Sequence, residues 1–269
     1  MIASKKKELC SKKVYDFNDL VTVMEVLRSE EGCPWDREQT HETIRNDFIE
    51  ETYEVIEAID TSDPVLLREE LGDVMLQVVF HSRIEEEKGG FSIADVCNDI
   101  CKKLIHRHPH VFGDVQIDNS SEVLDVWNDI KNEEKSRITM TDKLRAIPPM
   151  LPALMRAEKV GKKAKCFDFP NAESVRAKVD EELREMDEAI EQGNADAIEE
   201  EMGDLLLTIA SLCRKIGVHP EEALKKATDK FIDRFETLEN ETVKRGIDME
   251  KSSMETLDAI WDEIKHKKG

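Results

Sequence analysis

The sequence is poor in the residues that break helices. Of its 269 residues only 11 are glycine and 8 are proline, and aromatic residues make up 5%. Because glycine and proline are the residues least compatible with a helix interior, their scarcity favours an all-α fold over a sheet-rich one. The hydrophobic residues, 39% of the chain, recur in periodic clusters, which argues against a disordered chain.

The sequence also lacks long apolar runs and closely paired cysteines. It contains no stretch of about 18 apolar residues, so no transmembrane helix is expected. Its first residues are basic but have no apolar core, so no signal peptide is expected either. The six cysteines include no CxxC pair and are too sparse for a disulfide framework, which indicates reduced thiols and a cytoplasmic protein.

Positive charge is scarce as well. Lysine and arginine number 39 against 60 aspartates and glutamates, which gives a formal net charge of −21. A chain of this charge is not expected to bind nucleic acid directly, because phosphate backbones recruit lysine and arginine. A phosphate-bearing ligand would need divalent cations to offset its repulsion from the protein.

Acidic residues, by contrast, are abundant, and two stretches place them at the same spacing. The shared pattern is EExxE followed by ExxD, with an offset of 131 residues (181 − 50) between the two copies. The first copy comprises Glu50, Glu51, Glu54, Glu70 and Asp73. The second copy comprises Glu181, Glu182, Glu185, Glu201 and Asp204. One such pattern means little in so acidic a chain, but repetition in register indicates a duplicated metal site.

Hydrophobic periodicity places each pattern on a pair of helices. In the first copy it predicts helices over residues 43–59, from Pro64 to about residue 87, and from about residue 93 to 107. In the second copy it predicts a helix that ends near Gly193, then helices over about 195–216 and 221–245. A closing segment around Trp127 recurs around Trp261, which extends the duplication.

The chain is therefore predicted to be all-α, with two homologous helical bundles of four to five helices each. Residues 1–16 are assigned to an N-terminal tail and residues 17–137 to the first domain. Residues 138–152, which contain three prolines, are assigned to a linker, and residues 153–269 to the second domain.

Helix geometry brings the carboxylates of each copy together. At about 100° per residue, Glu51 and Glu54 lie on one helix face, as do Glu70 and Asp73 on the next helix. If the two helices pack antiparallel, the four side chains form an oxygen-rich pocket of the kind that Mg²⁺ prefers. Ordinary amphipathic helices with solvated glutamates are the alternative. A di-iron bundle would need a Glu-x-x-His motif on each of two helices of the site; the motif at residues 38–41 precedes the first acidic helix and has no counterpart at the equivalent position of the second copy.

Basic and aromatic residues provide candidate contacts to phosphates and bases. A basic stripe recurs every four residues on the third helix of the second unit, and the first unit has two basic residues in the comparable stretch. Two tryptophans stand at equivalent points, where core packing and base stacking both remain open. These candidates are Lys226, Lys230, Arg234, Lys103, Arg107, Trp127 and Trp261.

The motifs resemble those of the MazG family, within the all-α NTP pyrophosphatase superfamily. The resemblance covers the chain from about residue 17 onward. It lies in residues 33–41 (CPWDREQTH), 50–54 (EETYE), 70–73 (ELGD), 107–112 (RHPHVF) and 200–204 (EEMGD). The CPWD and HRHPHVF segments are its most specific parts.

This resemblance implies a homodimer of tandem helical domains that hydrolyses nucleoside triphosphates to monophosphate and pyrophosphate with Mg²⁺, or with Mn²⁺ in its place. The implied metal ligands are Glu182, Glu185, Glu201 and Asp204, with Glu51, Glu54, Glu70 and Asp73 in the first unit. The implied nucleotide contacts are Lys178, Glu181, Lys226, Lys230 and Trp261. The family's second unit is usually the more active, and here the lysine-rich residues 162–165 have no match in the first unit.

The chemistry predicts that a water molecule attacks near the α–β linkage of the triphosphate, oriented by a carboxylate such as Glu181 or Glu50. Such an enzyme would remove unwanted nucleotides from the cellular pool. Two alternatives remain open from the sequence. One is a pyrophosphatase restricted to dUTP, dCTP or phosphoribosyl-ATP, and the other is a non-catalytic, acidic helical regulatory module.

Overall fold

A computed structural model describes residues 2–117, 119–135 and 138–267 of the chain. Within these ranges every regular element is helical: fourteen α-helices and two short 3₁₀ turns, with no β-strand. The all-α prediction is confirmed. The predicted domain limit at residue 137 and the chain ends at residues 1 and 269 lie outside the described residues. No helix in the described part is long and apolar enough to cross a membrane.

Contacts divide the chain into two compact units, residues 1–128 and 129–269. The helices of the first unit are α1 (Ile2–Ser11), α2 (Phe17–Leu27), α3 (Pro34–Glu38), α4 (Arg45–Asp60), α5 (Pro64–Glu87), α6 (Ile93–Arg107) and α7 (Pro109–Phe112). Helix α8 (Ser120–Glu134) contains the division. The helices of the second unit are α9 (Met140–Arg145), α10 (Ala153–Lys163), α11 (Ala172–Gln192), α12 (Ala195–Lys215), α13 (Pro220–Arg245) and α14 (Met254–Lys267).

Local capping signals set the ends of the helices that carry the acidic patterns. The Asp63 side chain accepts hydrogen bonds from the first backbone amides of α5, and Pro64 occupies the first helical position. Asn171 and Asn194 cap α11 and α12 in the same way. Gly193 ends α11 in the left-handed conformation that glycine adopts without strain. The predicted helix boundaries are confirmed to within about two residues.

The hydrophobic core of the first unit holds the α4–α5 hairpin against α2. Its buried residues are Met24, Ile44, Val79, Phe80 and Ile84. Only residues 61–63 separate α4 from α5, so the two helices run antiparallel. The predicted hairpin is therefore present, and its two acidic faces are adjacent.

In the second unit, α11 and α12 form the equivalent hairpin, joined by Gly193 and Asn194. Helix α13 packs on α14 through a separate cluster of Leu238, Ile260 and Ile264. Asp168, in the segment before α11, forms ion pairs with Arg214 and Lys215 at the end of α12, with Lys215 Nζ 2.8 Å from Asp168 Oδ2. These contacts fix the segment that leads into the acidic helix.

Two segments differ from the sequence analysis. Residues 2–11, assigned to a tail, form helix α1, which is tied to α2 by ion pairs from Lys5 to Glu25 and from Lys12 to Asp19. Residues 140–145, assigned to the linker, form helix α9, and the nearby Ile147 is buried. In both cases the helix is stabilised by tertiary contacts with other segments, which a local sequence pattern does not indicate.

Candidate metal centres

The first acidic pattern forms a compact carboxylate cluster between α4 and α5. Oxygens of Glu51, Glu70 and Asp73 all lie within 4.8 Å of one another. Glu70 is buried, and the other two are half-buried. The carboxyl group of Glu54 lies beside them, within hydrogen-bonding reach of Glu51. All four predicted ligands of the first unit are thus brought together, and Glu50 is exposed.

The electrostatics of this first cluster are those of crowded like charges. Burial, together with Glu54, Asp73 and Glu70, raises the pKa of Glu51 to about 7. Burial and the neighbouring charges of Glu54 and Asp73 also raise the pKa of Glu70. Like charges packed this closely favour proton uptake unless a cation neutralises them. The cluster therefore has the charge and the oxygen ligands suited to a divalent cation.

The second acidic pattern forms an equivalent cluster between α11 and α12. Oxygens of Glu182, Glu201 and Asp204 lie within 4.8 Å of one another. Glu182 is the most buried, with 4% of its surface exposed. Burial and then the nearby charges of Glu185 and Glu182 raise the pKa of Glu201. Each copy of the acidic pattern therefore forms its own carboxylate cluster within its own unit.

One oxygen of Glu182 gives a direct test of whether a cation fits this second cluster. Its Oε2 atom is buried and has no hydrogen-bond partner among the residues that the structure describes. A buried carboxylate oxygen left without a partner is costly, so such atoms are normally paired or bound to a metal. Together with the convergent oxygens of Glu201 and Asp204, this atom fits a hard cation such as Mg²⁺.

Lys178 distinguishes the second cluster from the first. Its ammonium nitrogen lies 2.8 Å from Glu181 Oε1, 3.0 Å from Glu182 Oε1 and 3.8 Å from Glu185 Oε2. The hydrogen bond to Lys178 lowers the pKa of Glu181, and the carboxylates in turn raise the pKa of Lys178. The implied nucleotide contacts Lys178 and Glu181 thus lie at the edge of the carboxylate cluster.

The other predicted contacts of the second unit lie on α13 and α14. Lys226 and Lys230 are exposed and Arg234 is half-exposed, and within the described residues none of them pairs with a carboxylate of the second cluster. Trp261 is half-buried, packs beside the Leu238 cluster and contacts Phe231, with ring centroids 5.4 Å apart. Trp261 thus makes the contacts expected of a core residue, and its role in base stacking stays a prediction.

In the first unit, the two predicted basic residues differ in their exposure to solvent. Lys103 is exposed, but Arg107 has only 4% of its surface exposed. The Arg107 guanidinium lies 5.2 Å from the centre of the Trp127 ring, whose edge also contacts His108. Arg107 and Trp127 therefore pack together, which a basic stripe on a helix surface does not anticipate.

A second polar cluster of the first unit, formed by His41, His81 and Glu85, is not among the predicted site residues. His41 Nδ1 lies 2.7 Å from His81 Nδ1, and His41 Nε2 lies 2.7 Å from Glu85 Oε1. Burial lowers the pKa of His81. With Phe48 and Phe91, these histidines line a cleft of about 600 Å³. The signal was present in the spacing of His81 and Glu85, which lie one turn apart on α5, but their contact with His41 depends on tertiary packing.

Comparison with known proteins supports a common origin for both acidic regions. The model of the MazG nucleotide pyrophosphohydrolase domain matches residues 39–112 and, a second time, residues 171–238. These two matches contain every carboxylate of both clusters and together cover more than half of the chain. The chain belongs to the MazG family. It is therefore a tandem member of a hydrolase family, as the sequence analysis predicts.

Similar proteins extend the MazG likeness over nearly the whole chain. A nucleoside triphosphate pyrophosphohydrolase/pyrophosphatase MazG of Thermotoga maritima is 45% identical over 251 residues, 93% of this chain and 95% of that protein. A nucleoside triphosphate pyrophosphohydrolase of Escherichia coli is 44% identical over 91% of this chain and 95% of its own length. A Mycolicibacterium smegmatis protein of the same description is 40% identical over 53% of this chain.

Proposed function

We propose that this protein uses Mg²⁺, or Mn²⁺ in its place, to hydrolyse nucleoside triphosphates to nucleoside monophosphates and pyrophosphate, and so removes unwanted nucleotides from the pool. The observation that carries the proposal is the pair of carboxylate clusters in a chain of the MazG nucleotide pyrophosphohydrolase family. The names of the Thermotoga maritima and Escherichia coli relatives support the same substrate class.

The residues that would hold the cation are the four carboxylates of each unit. In the second unit these are Glu182, Glu185, Glu201 and Asp204, and in the first they are Glu51, Glu54, Glu70 and Asp73. When bound, Mg²⁺ would neutralise these carboxylates and polarise the phosphate oxygens of the substrate. Without such a cation, a triphosphate would be repelled by the cluster.

Residues at the edge of the second cluster can bind the substrate and orient the attacking water. Glu181 is exposed, and Lys178 holds its pKa below the usual range, so it remains an ionised hydrogen-bond acceptor at neutral pH. We assign to Glu181 the orientation of the water that attacks near the α–β linkage, and to Glu50 the same role in the first unit. We assign to Lys178 the donation of hydrogen bonds to the phosphates, which its position against Glu182 supports.

We also propose that the protein acts as a homodimer. Leu71 and Met75 on α5 are 49% and 44% exposed, and their equivalents on α12, Met202 and Leu206, are 41% and 47% exposed. Both copies thus present the same apolar row beside their carboxylates. An apolar surface repeated in this way is suited to a second copy of the chain, because water contact with it is unfavourable.

The cellular location is proposed on the cysteines alone. All six are free thiols, and the most exposed of them would oxidise readily outside a reducing compartment. We therefore place the protein in the cytoplasm.

The net charge of −21 supports a function that does not involve direct contact with nucleic acid.

A panel of ribonucleoside and deoxyribonucleoside triphosphates, scored separately for pyrophosphate and orthophosphate, tests the proposed function. We expect equimolar monophosphate and pyrophosphate from several substrates, with all activity lost in EDTA. Orthophosphate release would contradict the proposed bond cleavage. Activity confined to dUTP, dCTP or phosphoribosyl-ATP would favour the restricted enzyme, and no hydrolysis of any substrate would favour the regulatory module.

A further inference from the structure

One position beside the two carboxylate clusters carries opposite charges in the two units. The offset of 131 residues that relates Glu51 to Glu182 also relates Asp47 to Lys178 (182 − 51 and 178 − 47). Each of these residues lies one helical turn before the equivalent glutamate of its cluster, Glu51 or Glu182, on the same helix face. The second unit therefore has a lysine at the position where the first unit has an aspartate, although the five carboxylates of the repeated pattern are the same.

In the second unit the lysine already occupies the cluster as a cation. The Lys178 ammonium contacts Glu181, Glu182 and Glu185 at 2.8, 3.0 and 3.8 Å, so it uses an oxygen of the most buried carboxylate. Within the described residues the other oxygen of Glu182, Oε2, has no hydrogen-bond partner. A divalent cation bound through Oε2 would lie close to the Lys178 ammonium and be repelled by it, and a cation that uses both oxygens must also compete with Lys178 for Oε1.

In the first unit no such internal cation is present. Asp47 adds negative charge on α4, and within the described residues no lysine or arginine forms an ion pair with the first cluster. The carboxylates concerned are Glu51, Glu54, Glu70 and Asp73. A divalent cation therefore enters this site without displacing a bound positive charge, and the additional charge of Asp47 attracts it.

A triphosphate changes the balance at the second site. If Lys178 leaves Glu182, its ammonium loses a charged partner, which is unfavourable unless another anion replaces it. Phosphate oxygens provide that anion within the same site. Displacement of Lys178 and binding of a triphosphate therefore favour each other.

We infer that Lys178 weakens the binding of a divalent cation alone at the second cluster, so that cation and triphosphate enter it together, whereas the first cluster binds the cation tightly without nucleotide. This inference rests on the proposed function, because it assumes that the clusters bind a divalent cation and a triphosphate. It assigns the two units different binding orders, although their ligands are identical.

Titration of the intact protein with Mn²⁺, followed by electron paramagnetic resonance of the free ion, tests the inference. Without nucleotide we expect one tight site per chain, which is lost in Glu70→Gln/Asp73→Asn and retained in Glu201→Gln/Asp204→Asn. An α,β-methylene analogue of ATP, which resists cleavage at the α–β linkage, should add the second site. Lys178→Met should tighten Mn²⁺ binding at the second cluster without nucleotide by about tenfold, the size of one charge-assisted hydrogen bond. Asp47→Lys should weaken the first site by a similar factor.

Several outcomes would overturn the inference. Equal Mn²⁺ binding by both clusters of the wild type without nucleotide would do so. So would an unchanged second site in both Lys178→Met and Lys178→Gln, with circular dichroism showing that each variant is folded. If the wild type hydrolyses triphosphates but Mn²⁺ binding does not depend on Lys178, the inference fails and the proposed function stands. If no Mn²⁺ binds with or without the analogue, both fail.

Discussion

The guanidinium of Arg28, the residue that directly follows α2, lies 2.8 Å from the carboxylate of Glu87 at the end of α5. Arg28 is 8% exposed, stacks over the ring of Phe80 and donates to the backbone carbonyls of Asp36 and Gln39. This one side chain therefore joins α2, α5 and the CPWD segment that precedes the first acidic helix. Although burial acts to raise it, hydrogen bonds from Arg28 hold the pKa of Glu87 below its ordinary value.

We predict that Arg28→Met lowers the free energy of unfolding by about 2 kcal/mol, because it leaves Glu87 partly buried without its main partner. Arg83→Met is the matched control, since Arg83 pairs with the same glutamate from the surface of α5. We expect that control to cost about 0.5 kcal/mol. Urea unfolding monitored by circular dichroism measures both. Equal losses in the two variants would contradict the role given to Arg28.

Asp168 gives the second unit a specific sensitivity to acid. Hydrogen bonds from Arg214 and Lys215 hold the pKa of Asp168 far below its ordinary value of 3.8. A carboxyl group whose pKa is lowered by folding stabilises the fold above the unfolded-state value, and this contribution is lost as the pH falls through the folded-state value. The contribution of Asp168 is therefore present at neutral pH and declines as the pH falls below 3.8.

We expect Asp168→Asn to lower the urea midpoint at neutral pH and to reduce the further loss of stability between about pH 5 and about pH 3. Asp229→Asn serves as the control, because Asp229 pairs with Lys225 on the exposed surface of α13. The control should leave both quantities nearly unchanged. If Asp168→Asn and wild type lose stability in parallel over this pH range, the prediction is wrong.

The helices that carry the clusters could be predicted because their signals are local. Asp63 followed by Pro64 caps α5, and Asn194 caps α12, so the boundaries follow from a few adjacent residues. The convergence of Glu51 with Glu70 also follows from the sequence, because a three-residue connection forces the two helices to be antiparallel neighbours. The family resemblance then pointed to the chemistry.

What the sequence did not predict depends on contacts between distant residues. Arg107 was predicted as a surface cation, but it is buried against Trp127. This contact depends on the packing of α6 against the segment around residue 127. Helix α1 similarly depends on Glu25 and Asp19 of α2. The contrast between Lys178 and Asp47 was visible at the common offset, but it acquired meaning only when Lys178 was found against Glu182.

The proposed homodimer predicts a defined response to charge on the apolar row. Leu206→Glu should shift the protein toward monomer, because a carboxylate placed in an apolar interface loses its hydration without gaining a partner. Val243→Glu is a suitable control, since Val243 is 77% exposed on α13 and lies outside the row. Light scattering coupled to size-exclusion chromatography gives the mass of each variant. A wild-type monomer, or a dimer unaffected by Leu206→Glu, would contradict the proposal.

The opposite charges of Lys178 and Asp47 also predict which unit turns over. Lys178 can bind a phosphate of the substrate, whereas Asp47 repels it, so the second unit should carry most of the activity. We expect Glu201→Gln/Asp204→Asn to lower kcat for pyrophosphate release about a hundredfold or more, and Glu70→Gln/Asp73→Asn to lower it far less. Glu199→Gln, an exposed position on α12, controls for loss of surface charge.

Both double variants keep the size and shape of the side chains, so circular dichroism and the oligomeric mass should match the wild type. If they do, a loss of kcat reports on the cluster itself and not on folding. Equal losses from the two units would mean that Lys178 does not set their difference in activity. A larger loss from the first unit would reverse the assignment, because a cluster without an internal cation would then be the one that processes the triphosphate.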